Sequence, residues 1–525
     1  MIFRSPYTDV SIPEVSVPEF VLQDARARGD KPALIDGGSG RVITYRELAE
    51  SVERVAASLA ARGFKKGEVF AIYSPNVLEF PLALYGVATL GGTCTTINPL
   101  YTADEVAHQL KDAGAKYLLT VPALMEKAEE AAREAGVEEI FVIGETEGAT
   151  PFASLLDADA GEAPTVSINP REDIFALPYS SGTTGLPKGV MLTHYNLVAN
   201  LCQQEPVNPI AETDTLLCIL PLFHIYGMAV ILNTGLHSGA TIVMMQRFDL
   251  ERVLQAMQDY GVTFAHLVPP IVLALTKQKV VDNYDLSKLR AIFSGAAPLS
   301  ESITRACIER MKCRLRQGYG MTETSPVIHM SPNETELIRH GSVGRCIPNT
   351  ECKIVDMETG AELGPNQEGE ICIRGPQVMK GYLNRPEATA STIDADGWLH
   401  TGDIGYADED CHFFIVDRAK ELIKYKGFQV APAELEAHLL SHPAIADAAV
   451  IPVADEEAGE IPKAYIVLKA EAEADDEEIM RFIEERVAPH KKIRLIERIE
   501  QIPKSASGKI LRRVLVARER ERKPE

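Results

Sequence analysis

The sequence YSSGTTGLPKG occupies residues 179–189 and directly follows an apolar strand predicted over residues 174–178. Its three glycines let the backbone turn and approach a ligand closely, and its four Ser and Thr hydroxyls and free N–H groups can donate to phosphate oxygens. The segment differs from a Walker loop, because Lys188 follows Pro187 rather than glycine and no Ser or Thr comes next. We therefore predict a phosphate-binding loop of another type, with a flexible surface loop as the alternative.

On both sides of this loop, apolar stretches rich in β-forming residues alternate with helical patterns from about residue 30 to residue 300. Capping boxes formed by Thr44 with Glu47 and by Thr102 with Glu105 begin two of the helices. Such alternation predicts layered α/β structure with largely parallel sheets. The predicted strands are 69–73, 117–121, 139–143, 215–220, 241–245 and 291–293.

The pattern changes after about residue 340, where short strands and glycine-rich turns predict a compact β subdomain. From residue 418 onward, strand and helix signals are sufficient for a small separate α+β domain. We predict an α/β fold with an N-terminal domain over residues 1–417, its β subdomain at about 340–417, and a C-terminal domain over residues 418–525.

Composition excludes several classes of protein. With 525 residues, 46% apolar residues and a net charge of −22, the chain is typical of a globular protein of two or more domains that does not bind nucleic acid. The nine cysteines show no CxxC spacing for zinc or redox chemistry and are interpreted as reduced thiols. Neither a signal peptide, nor a membrane span, nor a peroxisomal C-terminal signal is recognised, so we expect a cytoplasmic protein without a stable membrane anchor.

The loop at 179–189 resembles the signature of the adenylate-forming superfamily, which includes acyl-CoA synthetases, luciferases and adenylation domains of peptide synthetases. Further segments agree with this superfamily in order, namely SGAAP at 294–298, QGYGMTE at 317–323, WLHTGD at 398–403, the run at 415–434 and PKSASGK at 503–509. GEICIRG at 369–375 and KYKGFQ at 424–429 are most similar to 4-coumarate:CoA ligases. The resemblance covers nearly the whole chain.

The resemblance implies a two-step reaction, in which ATP and the acid form an acyl-AMP and coenzyme A then takes the acyl group. It implies that Tyr319 stacks on adenine, that Asp403 binds the ribose hydroxyls and that Glu323 holds Mg²⁺. The full set of residues implied to bind ATP or AMP is Ser180, Ser181, Gly182, Thr183, Thr184, Lys188, Gly295, Ala296, Ala297, Gln317, Gly318, Tyr319, Gly320, Thr322, Asp403, Ile415, Arg418, Lys420, Lys424 and Lys509.

By the same resemblance, the small C-terminal domain is mobile and presents Lys509 for adenylation, then another face for thioester formation. Lys420, Lys424 and Lys426 crowd one short segment of an acidic chain, which favours an anion nearby, although a solvated basic face would read the same way. The implied catalytic residues are Lys509, His224, Lys424 and Gln429, and the implied coenzyme A contacts are Lys426 and Gly427.

Tyr226 matches the position at which 4-coumarate:CoA ligases place a tyrosine against the phenolic hydroxyl, so we expect 4-coumarate or a related hydroxycinnamate as the substrate. Met228 and Val230 make the pocket more apolar, which leaves a medium- or long-chain fatty-acyl-CoA ligase as an alternative, and a non-catalytic nucleotide-binding homologue as another. Monomer and homodimer both stay open. His194, His266 and His329 are interpreted as core histidines. The implied substrate pocket is His224, Tyr226, Val230, Gly295, Gly318, Pro326 and Val327.

Overall fold

The structure is a computed structural model, and it describes residues 1–159, 163–180, 187–426, 428–455, 457–470, 472–505 and 508–522. The strands are β1 (Ile2–Arg4), β2 (Pro32–Asp36), β3 (Val42–Thr44), β4 (Val69–Tyr73), β5 (Thr93–Ile97), β6 (Ala115–Thr120), β7 (Glu139–Val142), β8 (Thr150–Pro151), β9 (Ile174–Ala176), β10 (Tyr179–Ser180), β11 (Lys188–Thr193), β12 (Thr215–Cys218), β13 (Thr241–Met244), β14 (Phe264–Leu267), β15 (Ala291–Ser294), β16 (Arg314–Gly320), β17 (Val327–Met330), β18 (Arg345–Cys346), β19 (Glu351–Val355), β20 (Gly369–Arg374), β21 (Gly381–Tyr382), β22 (Leu399–Ala407), β23 (Phe413–Arg418), β24 (Ile423–Tyr425), β25 (Phe428–Val430), β26 (Ile445–Asp455), β27 (Gly459–Leu468) and β28 (Leu495–Arg498).

The helices connect strands and cover the sheets. A π-helical segment, Tyr226–Asn233, precedes the short helix α8 and is buried along its length. Among the described residues, no helix has the length and apolar character needed to cross a bilayer. The helices are α1 (Val17–Leu22), α2 (Ala25–Arg28), α3 (Tyr45–Ala61), α4 (Glu79–Thr89), α5 (Ala103–Ala113), α6 (Met125–Ala135), α7 (His194–Gln204), α8 (Thr234–His237), α9 (Leu250–Asp259), α10 (Pro269–Lys277), α11 (Glu301–Met311), α12 (Pro386–Thr392), α13 (Pro432–Ser441), α14 (Asp476–Glu484) and α15 (Arg512–Arg522).

Two nine-stranded sheets form most of the N-terminal domain. The first has the order β10-β11-β9-β5-β4-β6-β7-β8, with β21 paired to β11, and the second has the order β18-β17-β16-β15-β14-β12-β13-β2-β3. Parallel pairing runs through the middle of both sheets, while the edges that carry β10, β11, β3 and β17 are antiparallel. The predicted layered α/β structure with largely parallel sheets is therefore confirmed.

Local signals in the sequence place these elements well. β4 has the predicted bounds, and the capping boxes begin α3 and α5, with the Thr44 hydroxyl accepting from the Glu47 N–H and the Glu47 carboxylate accepting from the Thr44 N–H. α4 is apolar around its whole circumference and is buried against α3. One core cluster thus includes α3, α4 and strands of both large sheets, while α5 and α6 pack in a separate cluster.

A third, antiparallel sheet with the order β1-β19-β20-β22-β23 forms the β subdomain. Its first strand comes from the N-terminus, where Ile2, Phe3 and Arg4 pair with Lys353, Cys352 and Glu351. Phe3 is buried in the core of this sheet. The sequence prediction placed the subdomain at about 340–417 and did not include this strand. A segment of three residues is too short to show the alternating hydrophobic pattern of a strand, and nothing in it indicates pairing with a distant segment.

The smaller C-terminal domain is built on a fourth sheet, with the order β25-β24-β27-β26 and β28 beside β27. Helices α13 and α14 cover it, and its core, with Ile423, Leu435 and Ile466, is separate from that of the N-terminal domain. The α+β class expected for this part of the chain is confirmed. The boundary at residues 417 and 418 stays a prediction.

Candidate active site

The predicted phosphate loop lies between β10 and β11, which pair antiparallel. Ser180 faces Lys188 across this hairpin, and Tyr179 faces Gly189. The hairpin therefore holds Ser180 and Lys188 side by side at the base of the loop. Ser181, Gly182, Thr183 and Thr184 lie outside the described residues.

Lys188 and Glu323 contact opposite parts of one tyrosine, Tyr382. The Lys188 Nζ lies 4.8 Å from the centre of the Tyr382 ring, and the Tyr382 hydroxyl donates to the Glu323 Oε1 at 2.9 Å. Glu323 is buried in the short turn Thr322–Thr324, which follows β16. Tyr382 thereby fixes an anionic carboxylate and a cationic ammonium close together, as a site for a metal-bound phosphate requires.

Tyr319, Asp403 and Arg418 form a second group. The Tyr319 hydroxyl donates to the Asp403 Oδ2 at 2.6 Å, and the Arg418 Nε lies 3.5 Å from the Asp403 Oδ1. One face of the Tyr319 ring stacks on His329, with 5.7 Å between ring centres. Burial raises the pKa of Asp403, while the Arg418 charge and the Tyr319 hydrogen bond act in the opposite direction. The group presents an aromatic ring beside a hydrogen-bonded carboxylate.

Lys509 reaches this site from the C-terminal domain. The turn before it has Gly508 at φ 79°, and a side chain on Gly508 would meet Val268 of the N-terminal domain at 3.0 Å, so the backbone approaches that domain closely. Burial, followed by the positive charge of Arg418, lowers the pKa of Lys509 to about 8, while the charges of Asp403, Glu421 and Glu323 raise it. The ammonium is therefore near both of the acidic groups described above.

His224 lies where the phosphate hairpin, the turn after β16 and the π-helical segment meet. Its Nδ1 accepts the Tyr226 N–H at 3.2 Å, which places the proton of a neutral ring on Nε2. Burial, followed by the positive charge of Lys509, lowers the pKa of His224 to about 4. Tyr179, His224 and Thr322 line the same small cavity, whose volume is about 30 Å³. The structure thus joins three segments that are far apart in the sequence.

Tyr226, a residue of the predicted substrate pocket, packs against Phe293 and Gly295. Its hydroxyl donates to the Phe293 carbonyl oxygen at 3.2 Å, and a Cβ at Gly295 would lie 3.0 Å from its ring. A Cβ at Gly318 would lie 2.7 Å from the Phe293 ring. A side chain at Gly318 would collide with the Phe293 ring, and one at Gly295 would require the Tyr226 ring to shift slightly.

Comparison with known proteins identifies the family of this chain. The sequence pattern described as "AMP-binding enzyme" matches residues 21–383, and that described as "AMP-binding enzyme C-terminal domain" matches residues 434–509. The chain belongs to the AMP-binding enzyme family. A 4-coumarate-CoA ligase of Narcissus pseudonarcissus is 46% identical over 530 residues, which cover 98% of this chain and 96% of the relative.

Solved structures of other AMP-binding enzymes share the fold over almost their entire length. An anthranilate CoA ligase in complex with anthranoyl-AMP superposes with a TM-score of 0.90 at 27% identity, covering 97% of this chain and 98% of that one. ATP-bound MatB from Rhodopseudomonas palustris gives a TM-score of 0.87 at 27% identity, covering 97% of this chain and 100% of that one. The adenylate-forming resemblance and the fold expected from it are confirmed.

The other predicted nucleotide contacts of this AMP-binding enzyme surround the same edge of the second sheet. Gln317 is bonded through its amide to the backbone of Leu299, at 3.3 Å for each bond, and so holds the loop that contains Ala296 and Ala297. Ala296 adopts a left-handed conformation with φ 72°. Gly320 passes so close to the Pro326 carbonyl that a Cβ would lie 1.9 Å from its oxygen.

The remaining predicted positions lie on neighbouring strands and in the π-helical segment. Ile415 lies on β23 opposite Gly405, Val327 is buried on β17, and Val230 is buried in the π-helical segment. Val327 donates its N–H to the Asn200 side chain at 3.1 Å.

The residues predicted for thioester formation lie elsewhere on the C-terminal domain. Lys420, Lys424 and Lys426 are exposed. The Lys424 N–H donates to the Glu460 carboxylate at 2.8 Å, and Lys426 forms an ion pair with Glu457. Gly427 and the side chain of Gln429 lie outside the described residues. Lys509, by contrast, interacts with the charges of Asp403 and Glu323 in this arrangement.

Sequence reasoning missed Tyr382 and Phe293. Tyr382 belongs to the site because β21 pairs with β11, and this pairing joins segments almost 200 residues apart without a local signal. Phe293 was predicted only as part of a buried strand. Its ring and its carbonyl both contact pocket residues, a role that depends on the register of the sheet.

The pKa of Lys509 gives a testable pH dependence. Since the pKa of Lys509 is lowered to about 8, raising the pH through this value removes a positive charge from the nucleotide site of the free enzyme. We expect kcat/KM for acid-dependent pyrophosphate release to fall above about pH 8 and the fall to disappear in Lys509→Arg, which stays charged. The same alkaline fall in the arginine variant would assign the titration to another group.

Proposed function

We propose that this AMP-binding enzyme is an acid:CoA ligase, which makes an acyl-AMP from ATP and a hydroxycinnamate such as 4-coumarate and then transfers the acyl group to coenzyme A. The observation that carries the proposal is the position of Lys509, which enters from the C-terminal domain and lies near Asp403, Glu323 and His224. A cation, a metal-ligating carboxylate and a carboxylate for ribose at one place fit an adenylation site. We place the reaction in the cytoplasm.

In the first step, a carboxylate oxygen of the acid attacks the α-phosphorus of ATP, and the bond to pyrophosphate breaks. Tyr319 stacks on the adenine with the ring face opposite His329, and Asp403 accepts hydrogen bonds from the ribose hydroxyls. Lys188, Ser180 and the loop after it bind the β- and γ-phosphates. The acid and ATP are both anions and repel each other, which is the main obstacle to the reaction. These contacts hold ATP in position for attack by the acid.

Lys509 and Glu323 act on the charge at the reacting phosphate. The Lys509 ammonium stabilises negative charge that is shared between the acid, the α-phosphate and the leaving pyrophosphate. Glu323 fits Mg²⁺, because a buried carboxylate oxygen is a ligand that this ion prefers and Tyr382 orients the group. When bound, Mg²⁺ would neutralise phosphate charge. Thr322 contacts the α-phosphate, and His224 presents its Nε2 proton towards the carboxylate of the acid.

In the second step, the sulfur of coenzyme A attacks the acyl carbon, and the bond from this carbon to AMP breaks. Lys509 does not take part in this thioester-forming step. The C-terminal domain rotates and brings the segment with Lys424, Lys426, Gly427 and Gln429 to the acyl-AMP, with Lys420 at the hinge. The nucleophile is the thiol of coenzyme A, so the eight buried cysteines need no chemical role.

Two observations support a hydroxycinnamate as the acid. The 4-coumarate-CoA ligases of plants are 46% identical to this chain over nearly its full length. The Tyr226 hydroxyl donates its hydrogen bond to the Phe293 carbonyl, so the Tyr226 oxygen can still accept a hydrogen bond from a phenolic hydroxyl. The buried Met228 and Val230 beside it favour the alternative of an alkyl chain.

A panel of acids tests the proposal. We expect CoA-dependent AMP formation from ATP and Mg²⁺ with 4-coumarate and ferulate, and roughly 10-fold or more lower kcat/KM with octanoate and palmitate. Preference for the alkyl acids would replace the hydroxycinnamate assignment with a fatty-acyl-CoA ligase. No acid-dependent AMP from any of them would favour a nucleotide-binding protein without catalysis.

A further inference from the structure

His266 is a buried histidine with no use in the reaction described so far. It lies on β14 with 0% of its surface exposed, and neither ring nitrogen has a hydrogen-bond partner in the described part of the chain. Buried side-chain nitrogens without a partner are rare, and such a group calls for a ligand or another function. His194, which is equally buried, differs because its Nδ1 accepts the Val17 N–H at 3.0 Å.

Aromatic rings surround His266. Its ring centre lies 4.7 Å from that of Phe264, 5.9 Å from that of Phe293 and 6.2 Å from that of Tyr226. Tyr226 belongs to the predicted substrate pocket, and its hydroxyl is bonded to the Phe293 carbonyl. Burial lowers the pKa of His266 to about 3, so the ring is neutral and offers one N–H donor and one acceptor. The nearest side chains are aromatic, and the buried Arg316 is close enough for its positive charge to act on His266.

The register of the sheet places His266 on the face of the pocket. Parallel strands pair His266 with Phe293, and Phe293 with Arg316, so these side chains point to one face. Gly295 and Gly318 come two residues further along their strands and therefore lie on this same face, nearer its carboxyl edge. Since the nucleotide groups follow that edge, His266 lies on the side of the pocket remote from the reacting carboxylate.

We propose that His266 is the polar end of the acyl pocket and determines specificity by donating its ring N–H to a hydroxyl at the far end of the acid. The same hydroxyl of the acid donates to the Tyr226 oxygen, because the Tyr226 hydroxyl already donates its own hydrogen bond to the Phe293 carbonyl. A donor and an acceptor at one place match a phenol, which can accept and donate together. This inference rests on the proposed function and names the residue that selects among its substrates.

Steady-state kinetics with 4-coumarate and cinnamate, which differ in this hydroxyl, test the inference. In His266→Leu, kcat/KM for 4-coumarate should fall about 10- to 100-fold, while cinnamate should change by about twofold or less, because a site built to bind a hydroxyl loses only that contact. His266→Gln keeps a donor and an acceptor, so it should retain part of the preference for 4-coumarate. Turnover of cinnamate shows that each variant is folded.

His194→Leu is the matched control, since it removes another buried histidine outside the pocket, and it should leave the ratio of the two acids unchanged even if it lowers the melting temperature. An unchanged ratio in both His266 variants would overturn the inference and make His266 a structural core residue. A wild-type enzyme that ligates other acids but neither of these two would reject the hydroxycinnamate assignment itself.

Discussion

Lys509→Ala should lose about 100- to 1000-fold of its acid-dependent pyrophosphate release, because removing one preorganised charge-stabilising group costs about this much. The same variant should convert supplied coumaroyl-AMP and coenzyme A to the thioester at nearly the wild-type rate. The reason is that Lys509 lies near Asp403 and Glu323, whereas Lys424 and Lys426 lie elsewhere on the C-terminal domain. Pyrophosphate release and thioester formation, measured separately, check both statements.

Lys504→Ala is the matched control for this experiment. Lys504 precedes Lys509 by five positions, and its ammonium pairs with Asp447 inside the C-terminal domain at 2.6 Å. This pair is partly buried and lies outside the predicted nucleotide site, so adenylation should change little in Lys504→Ala even if the protein becomes less stable. An equal loss of both half-reactions in Lys509→Ala would contradict the assignment of two faces to the C-terminal domain.

Glu323→Gln should lower the rate of adenylation about 100-fold and raise the Mg²⁺ concentration needed for half-maximal rate. Glutamine keeps the shape of the side chain and its contact with Tyr382 but lacks the negative charge that holds a divalent cation. Titration of pyrophosphate release with Mg²⁺ at saturating ATP measures both effects.

Tyr382→Phe separates the charge of Glu323 from its orientation. It removes the 2.9 Å hydrogen bond to Glu323 and keeps the ring that Lys188 contacts. This variant keeps the carboxylate of Glu323 and loses only one hydrogen bond that orients it, so it should retain more activity than Glu323→Gln and a wild-type response to Mg²⁺. If Glu323→Gln kept the wild-type response to Mg²⁺, Glu323 would not be the metal ligand.

The elements that the sequence predicted well are those with local causes. The capping boxes at Thr44 and Thr102 begin helices because both partners lie within one turn. β4 was predicted with its bounds, since buried strands in parallel sheets read as continuous apolar runs. The roles of Tyr319 and Lys509 were predicted instead from the resemblance of short motifs to the adenylate-forming superfamily, and they stay predictions.

Features that depend on pairing across the chain could not be predicted. β1 completes the β subdomain through pairing with β19, and Tyr382 reaches Glu323 across 59 positions. His266 was interpreted as a core histidine, because the sequence does not show whether the ring nitrogens of an isolated histidine in an apolar strand have hydrogen-bond partners. Its surroundings become apparent only from the register of β14, β15 and β16.

In the proposed reaction, this AMP-binding enzyme forms an acyl-adenylate before it uses coenzyme A. The most direct measurement is mass spectrometry of a stoichiometric mixture of enzyme, MgATP and 4-coumarate without coenzyme A, followed by addition of coenzyme A. We predict one coumaroyl-AMP and one pyrophosphate per active site, and complete conversion to coumaroyl-CoA and AMP after the addition. Formation of ADP and phosphate, or of thioester without an adenylate that precedes it, would contradict the account.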